Sequence, residues 1–376
     1  MKTESKMTRR NSNLELMRIL LMFGIIAHHY VVNSGVEQMY DFSRFSWEML
    51  FLQVFAMFGK TGINCFTLIT GYFMVRSNIT LKKFLRMYLE VKFYYVGCYL
   101  IFVAAGYEKF SVLGLKMALF NVLYELNWLY TGTYLVFLLL IPILNVIARR
   151  VSRKQYAYVL AAGFVYYTVI STFTGADTFS YLGWMAVMYL LGGYLSLHGS
   201  ALPFYGSLRF ALRGLLVTIA LMCAGILAVD VWGWRLGFTD YYYFLHDSHK
   251  ILALSASVFL FLTFLNLRIP QSVWINRIAS STFGVLLIHS NGGAVRRFLW
   301  QDVFDVQASF SRGGIGVVLW AVFAVCMVFV VTTVIDQIRV RWIETPFFRW
   351  LGSKKWMIRA EEKADGIWNT GKEEKE

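Results

Sequence analysis

An all-α polytopic integral membrane protein, with about ten transmembrane helices and both termini in the cytoplasm, is what the sequence predicts. Three observations carry that expectation. Of the 376 residues, 58% are hydrophobic and 15% charged, against about 25% charged in an ordinary soluble domain. The apolar residues come in blocks rather than amphipathic stripes, and the mean hydropathy is +0.55. Lysine and arginine fall between the blocks, unequally on alternate sides. This placement also excludes a nucleic-acid partner for the net charge of +14, because such binders cluster their charge on one polar folded face.

The polar, basic start, 1–13, reads as a cytoplasmic tail, and a first apolar window follows at 14–32. Arg18, His28 and His29 within that window, with no small-residue cleavage site after it, predict that it is retained as a membrane helix rather than removed as a signal peptide. Further windows long enough to span hydrocarbon lie near 50–75, 84–105, 128–148, 155–173, 180–197, 211–232, 250–267, 281–299 and 314–338. The ninth is interrupted by Ser290, Asn291, Gly292 and Gly293 and closed by Arg296 and Arg297. Alternate connections and ends carry 25 lysines and arginines on one side and eight on the other, which puts both termini inside and supports an even number of spans.

Between the third and fourth windows, Phe110, Leu113, Met117, Phe120 and Tyr124 recur at helical spacing, and 106–127 is expected to lie flat on the outer interface. The membrane domain is expected over 14–338. From 339 the chain reads as a solvated cytoplasmic tail ending in Glu373, Glu374, Lys375 and Glu376. The chain shows no internal repeat, no phosphate-binding glycine loop and no appended soluble domain. Cys65, Cys98, Cys223 and Cys326 sit in apolar segments without paired spacing, so neither disulfides nor zinc are indicated.

Ionisable groups inside a span cost several kcal/mol and mark candidate sites. In the first window Glu15, Arg18 and His29 can share one helical face: eleven residues bring His29 to within about 20° of Arg18 and about 16 Å further along, while His28 points off that line by about 80°. A helix-end ion pair and a hydrogen-bonded interfacial histidine would also account for them. In the second window Lys60 can snorkel outward, whereas Asn64 cannot, and Thr70, Gly71 and Tyr72 follow among close glycines. Lys82, Lys83 and Arg86 form a cationic cluster suited either to phosphate or to a positive-inside signal. His246, Asp247, Ser248 and His249 have metal-like side chains but lack a third strong ligand at a familiar spacing, so no metal is expected. Trp128 and Tyr130 read as interface anchors more readily than as sugar-stacking residues.

Taken in order, these features resemble acyltransferase family three, the bacterial membrane-embedded O-acyltransferases. The stretches that carry the resemblance are Asn13 to Arg18 leading to His28-His29-Tyr30, Gly62 to Phe73, and Lys82-Lys83-Phe84-Leu85-Arg86. Asn127-Trp128-Leu129-Tyr130, Leu287-Ile288-His289 and Ile343-Glu344-Thr345-Pro346 extend it over nearly the whole chain. The most specific element is an arginine, ten intervening residues and a histidine, here Arg18 and His29. The resemblance implies that His29 is a catalytic base and that a basic pair after the second span holds the acyl donor. Thr70 stands where the family usually has serine, Lys83 where it has the first arginine of the pair, and the prolines common after that pair are absent.

The implied activity is an O-acetyltransferase of the plasma membrane, transferring groups other than amino-acyl groups. It would move acetyl or another acyl group from cytoplasmic acyl-CoA to a hydroxyl of a cell-surface or lipid-linked glycan. His29 with Arg18 would be catalytic, Arg18, Lys83 and Arg86 would hold acetyl-CoA, and Asn64, Thr70 and Tyr72 would shape the substrate passage. Direct transfer and an acyl-enzyme both remain open on sequence, as does the oligomeric state. The alternative from another class is a secondary transporter or flippase for a lipid-linked sugar, since intramembrane polar residues and glycine breaks also mark transport paths. The lack of repeat symmetry counts against it.

Overall fold

The computed structural model describes residues 11–369, and among them every regular element is a helix. Lys2, Lys6, Arg9 and Arg10, on which part of the orientation count rests, and the end Glu373 to Glu376 lie outside the described residues. Polar residues just ahead of the apolar windows start the helices. Asn11, Ser46, Thr80, Ser180 and Ser207 each accept a backbone N–H of the first turn, which satisfies donors that an apolar medium would leave unpaired.

The windows fold as α1 (Ser12–Val32), α2 (Trp47–Met74, interrupted at Met57 and Phe58), α3 (Leu81–Ala104), α4 (Tyr130–Arg150), α5 (Arg153–Thr174), α6 (Tyr181–His198), α7 (Leu208–Leu236), α8 (Ile251–Asn266), α9 (Thr282–His289) and α10 (Ile315–Gly352). Seven of these, all but α6, α8 and α9, are long and apolar enough to cross a membrane. The shortfalls have local causes. Tyrosines and glycines dilute α6, and α8 has only 16 residues. At the end of α9, Ser290 Oγ and Asn291 Nδ2 donate to the carbonyls of Leu286 and Leu287 at 2.6 and 2.9 Å, and the chain restarts as the short helix Gly292–Arg297.

Helix α1 lies at the centre, packed by α2, α8, α9 and α10. Helices α2 and α6 meet backbone to backbone. A Cβ on Gly71 would sit 2.1 Å from the carbonyl oxygen of Tyr189, so only glycine permits that approach. Outward faces are apolar instead of polar: Leu216, Val217 and Leu221 on α7 and Leu319, Val330 and Val334 on α10 are exposed, which suits lipid and not water. Residues 106–127 form two short helices, Val112–Leu119 and Asn121–Glu125, with Phe110, Leu113, Met117 and Phe120 exposed.

Past residue 338, where a solvated tail is expected, the chain continues as helix to Gly352 and part of it is packed. Helix α10 has 38 residues, roughly 57 Å against a hydrocarbon core of about 30 Å, and it stays packed along the side of α3. Phe348, Leu351 and Met357 bury themselves against Leu81 and Leu85. Arg339, only 6% exposed, bonds Glu90 at 2.9 Å, Asp336 at 2.9 Å and Glu344 at 2.7 Å. The segment looks polar in sequence, and pairing of Arg339 with three carboxylates is what lets it pack in the fold.

Candidate active site

A cavity of about 400 Å³ opens among α1, α2, α3, α4 and the start of α9. Arg18 and Met22 face it from α1, Thr70 from α2, Lys83 from the first turn of α3, Tyr130 and Tyr134 from α4, and Leu286 from α9. Arg18 on α1 and Lys83 on α3, distant in sequence, are thus brought to one chamber whose remaining lining is largely apolar and aromatic. Arg18 keeps its i,i+3 partner, with Nη1 3.2 Å from Glu15, while its buried Nε has no partner. Among the described residues no carboxylate pairs with Lys83.

Arg86 is held elsewhere. Its Nε lies 3.2 Å from Glu344, its guanidinium sits 5.2 Å over the Phe348 ring, and it lines a separate cavity of about 500 Å³ between α3 and α10. The widened turn Val340–Glu344 of α10 presents Glu344 between Arg86 and Arg339, and this is what separates two cations only three residues apart.

The helical stripe that begins with Arg18 and Met22 continues to His29. There, Nδ1 lies 3.0 Å from Nε2 of His289, with the ring centroids 5.1 Å apart. His289 is fully buried and stands one helical turn beyond Leu286, so the histidine pair sits just past the inner end of the cavity. His28 turns away. Its Nδ1 faces the carbonyl of Ala56 at 3.2 Å, at the interruption of α2. Sequence reasoning placed His289 in a stretch that carries the family resemblance but assigned it no role.

The other predicted positions divide. Thr70 lines the cavity and sits 3.4 Å from the Tyr134 hydroxyl. Asn64 and Tyr72 do not line it. Asn64 is buried as a clamp, donating to the Ser248 carbonyl at 2.6 Å and accepting from Trp184 Nε1 at 2.7 Å. The Tyr72 hydroxyl meets that of Tyr205 at 3.1 Å and its ring packs on Phe261. Asn64 is thus tied to the 246–249 loop and α6, and Tyr72 to the turn before α7 and to α8. Trp128 is 82% exposed, whereas Tyr130 faces the cavity instead of an interface. In the 246–249 loop, His249 Nε2 meets Ser171 Oγ at 2.7 Å in a buried contact that ties the loop to α5.

A second cavity of about 330 Å³ lies on the far side of His289 in the chain, lined by Tyr95, Tyr99, Glu125, Asn291 and Arg296 among others. Two chambers therefore flank the segment that carries His289: one ends at Leu286, and the other begins at Asn291.

No curated protein and no solved structure matches the chain. A family model does: that of the acyltransferase domain, over residues 11–336, and the helices that build both the cationic chamber and the histidine pair fall almost wholly inside those bounds. The chain belongs to acyltransferase family 3.

Proposed function

We propose that the protein is a membrane O-acyltransferase that moves acetyl from cytoplasmic acetyl-CoA to a hydroxyl of a glycan presented in or outside the plasma membrane. The observation that carries this reading is the alignment, along α1, of a chamber lined by Arg18 and Lys83 with a buried histidine pair just beyond its inner end. Arg18 and Lys83 hold the donor's phosphates. Arg86 joins them only by exchanging Glu344 for phosphate. The thioester arm runs through the apolar chamber past Thr70 toward His29. The second cavity, with its tyrosines, Glu125 and Asn291, offers the aromatic faces and hydrogen-bonding groups that suit a saccharide acceptor. His29 takes the proton of the acceptor hydroxyl as its oxygen bonds to the thioester carbonyl carbon. The C–S bond then breaks, and the proton passes from His29 to the leaving thiolate.

In this reading the chain crosses the membrane about ten times, with 14–338 as the membrane domain and both termini in the cytoplasm. A reporter fused after Glu376 and one between Arg149 and Lys154 should then report cytoplasm, and one near Val36 the outside; any one of the three on the wrong side removes the topology. The activity is tested with labelled acetyl-CoA and purified protein in lipid, given a cell-surface glycan acceptor. Acetyl should leave the donor and appear as an ester on the glycan. Lys83→Ala should raise the KM for acetyl-CoA roughly tenfold or more, the worth of one charge-assisted hydrogen bond, with a smaller effect for Arg86→Ala. A protein that consumes no acetyl-CoA but moves a lipid-linked sugar across vesicles would be a transporter instead.

A further inference from the structure

We propose that His289 is a positioning residue that sets the tautomer of His29, leaving Nε2 of His29 as the free proton acceptor. The argument is one of hydrogen-bond bookkeeping along a chain of three groups. His289 Nδ1 lies 2.6 Å from the carbonyl oxygen of Val285, one turn back on the same helix. A carbonyl oxygen can only accept, so Nδ1 of His289 carries the hydrogen. In a neutral imidazole the other nitrogen is then a bare acceptor.

That acceptor, His289 Nε2, faces His29 Nδ1 at 3.0 Å. Two bare lone pairs at that distance would repel, so Nδ1 of His29 must donate. One proton per neutral ring then leaves His29 Nε2 without a hydrogen. This is the less common tautomer of a free imidazole, and here it is imposed by a backbone carbonyl two groups away.

The neutral state follows from the surroundings. His289 is fully buried, and the charged or titratable groups facing the two rings are His28, Lys60 and Arg296, all of them basic. Among the described residues no carboxylate pairs with either ring to compensate a resting imidazolium, and an uncompensated buried charge is expensive. When His29 gains a proton during transfer, its Nδ1–H still donates to His289, so the ring keeps its orientation while the charge is transient. The inference rests on the acyltransferase reading for its purpose, though not for its geometry.

The test uses the full-length protein in lipid nanodiscs with ring-¹⁵N histidine, comparing wild type with His289→Leu and His289→Gln. The His29 signals are identified by their loss in His29→Gln. Wild-type His29 should show the Nδ1–H tautomer, and His289→Leu should shift it toward Nε2–H. In kinetics, His289→Leu should lower kcat at least tenfold with the donor KM unchanged. His289→Gln, whose side-chain oxygen can accept from Nδ1–H, should recover most of that loss.

An Nε2–H tautomer in the wild type overturns the proposal without reference to any variant. So does a glutamine variant that is folded yet as impaired as the leucine one. If the tautomer shifts as expected but no acyl transfer is found in any form, the positioning inference stands and the proposed function falls.

Discussion

His29→Ala should abolish acyl transfer, while His28→Ala leaves substantial activity. A general base contributes about 10² to 10⁴ in rate, roughly 3 to 5 kcal/mol of barrier, so the two variants are easy to separate. The adjacent histidines form an internal control because the helix turns them apart. His29 meets His289 beyond the cationic chamber, whereas His28 leans on the interruption of α2, with its Nδ1 on the Ala56 carbonyl. The fit there is close: a Cβ on Gly59 would sit 2.3 Å from the His28 ring. His28→Ala should therefore cost stability through lost packing, and both variants need thermal unfolding in detergent alongside kcat. A well-folded His28→Ala that is inactive, beside an active His29→Ala, would overturn the catalytic assignment.

Arg339→Met should destabilise the protein by about 3 to 5 kcal/mol, the range for stripping one partner from a buried ion cluster. Three carboxylates, Glu90, Asp336 and Glu344, converge on this one guanidinium. Tyr94 joins them, donating to Asp336 at 2.8 Å and accepting from Arg339 at 3.2 Å. The Arg86 contact to Glu344 is half exposed and cannot replace the lost cation. The measurement is the melting temperature and the monodisperse fraction in detergent, and Asp336→Asn in the same background should restore part of the loss by removing one stranded charge. An Arg339→Met protein that melts like the wild type would show that the cluster is not what holds α10 to α3.

Sequence by itself determined the helical membrane architecture, because long apolar blocks in a chain so poor in charge have few alternatives once every backbone polar group must be satisfied internally. It determined too that Arg18 and His29 lie on one stripe and His28 off it, since that follows from 3.6 residues per turn alone. The family was legible from the order of short motifs along the chain.

What only the tertiary structure decided are relations between helices distant in sequence. The meeting of His29 with His289 spans 260 residues, and no local periodicity encodes it. Lys83 and Arg86, equivalent as a sequence cluster, part company because Glu344 reaches between α10 and α3. Asn64 and Tyr72 carry polar groups that seemed costly in a span, yet each is satisfied by a distant segment, the 246–249 loop for Asn64 and the turn before α7 for Tyr72, and neither lines the cavity. Arg339, Phe348, Leu351 and Met357, in a stretch that looks like a tail, are buried for the same reason. Sequence counts a side chain's charge, and only the fold supplies the partner that cancels it.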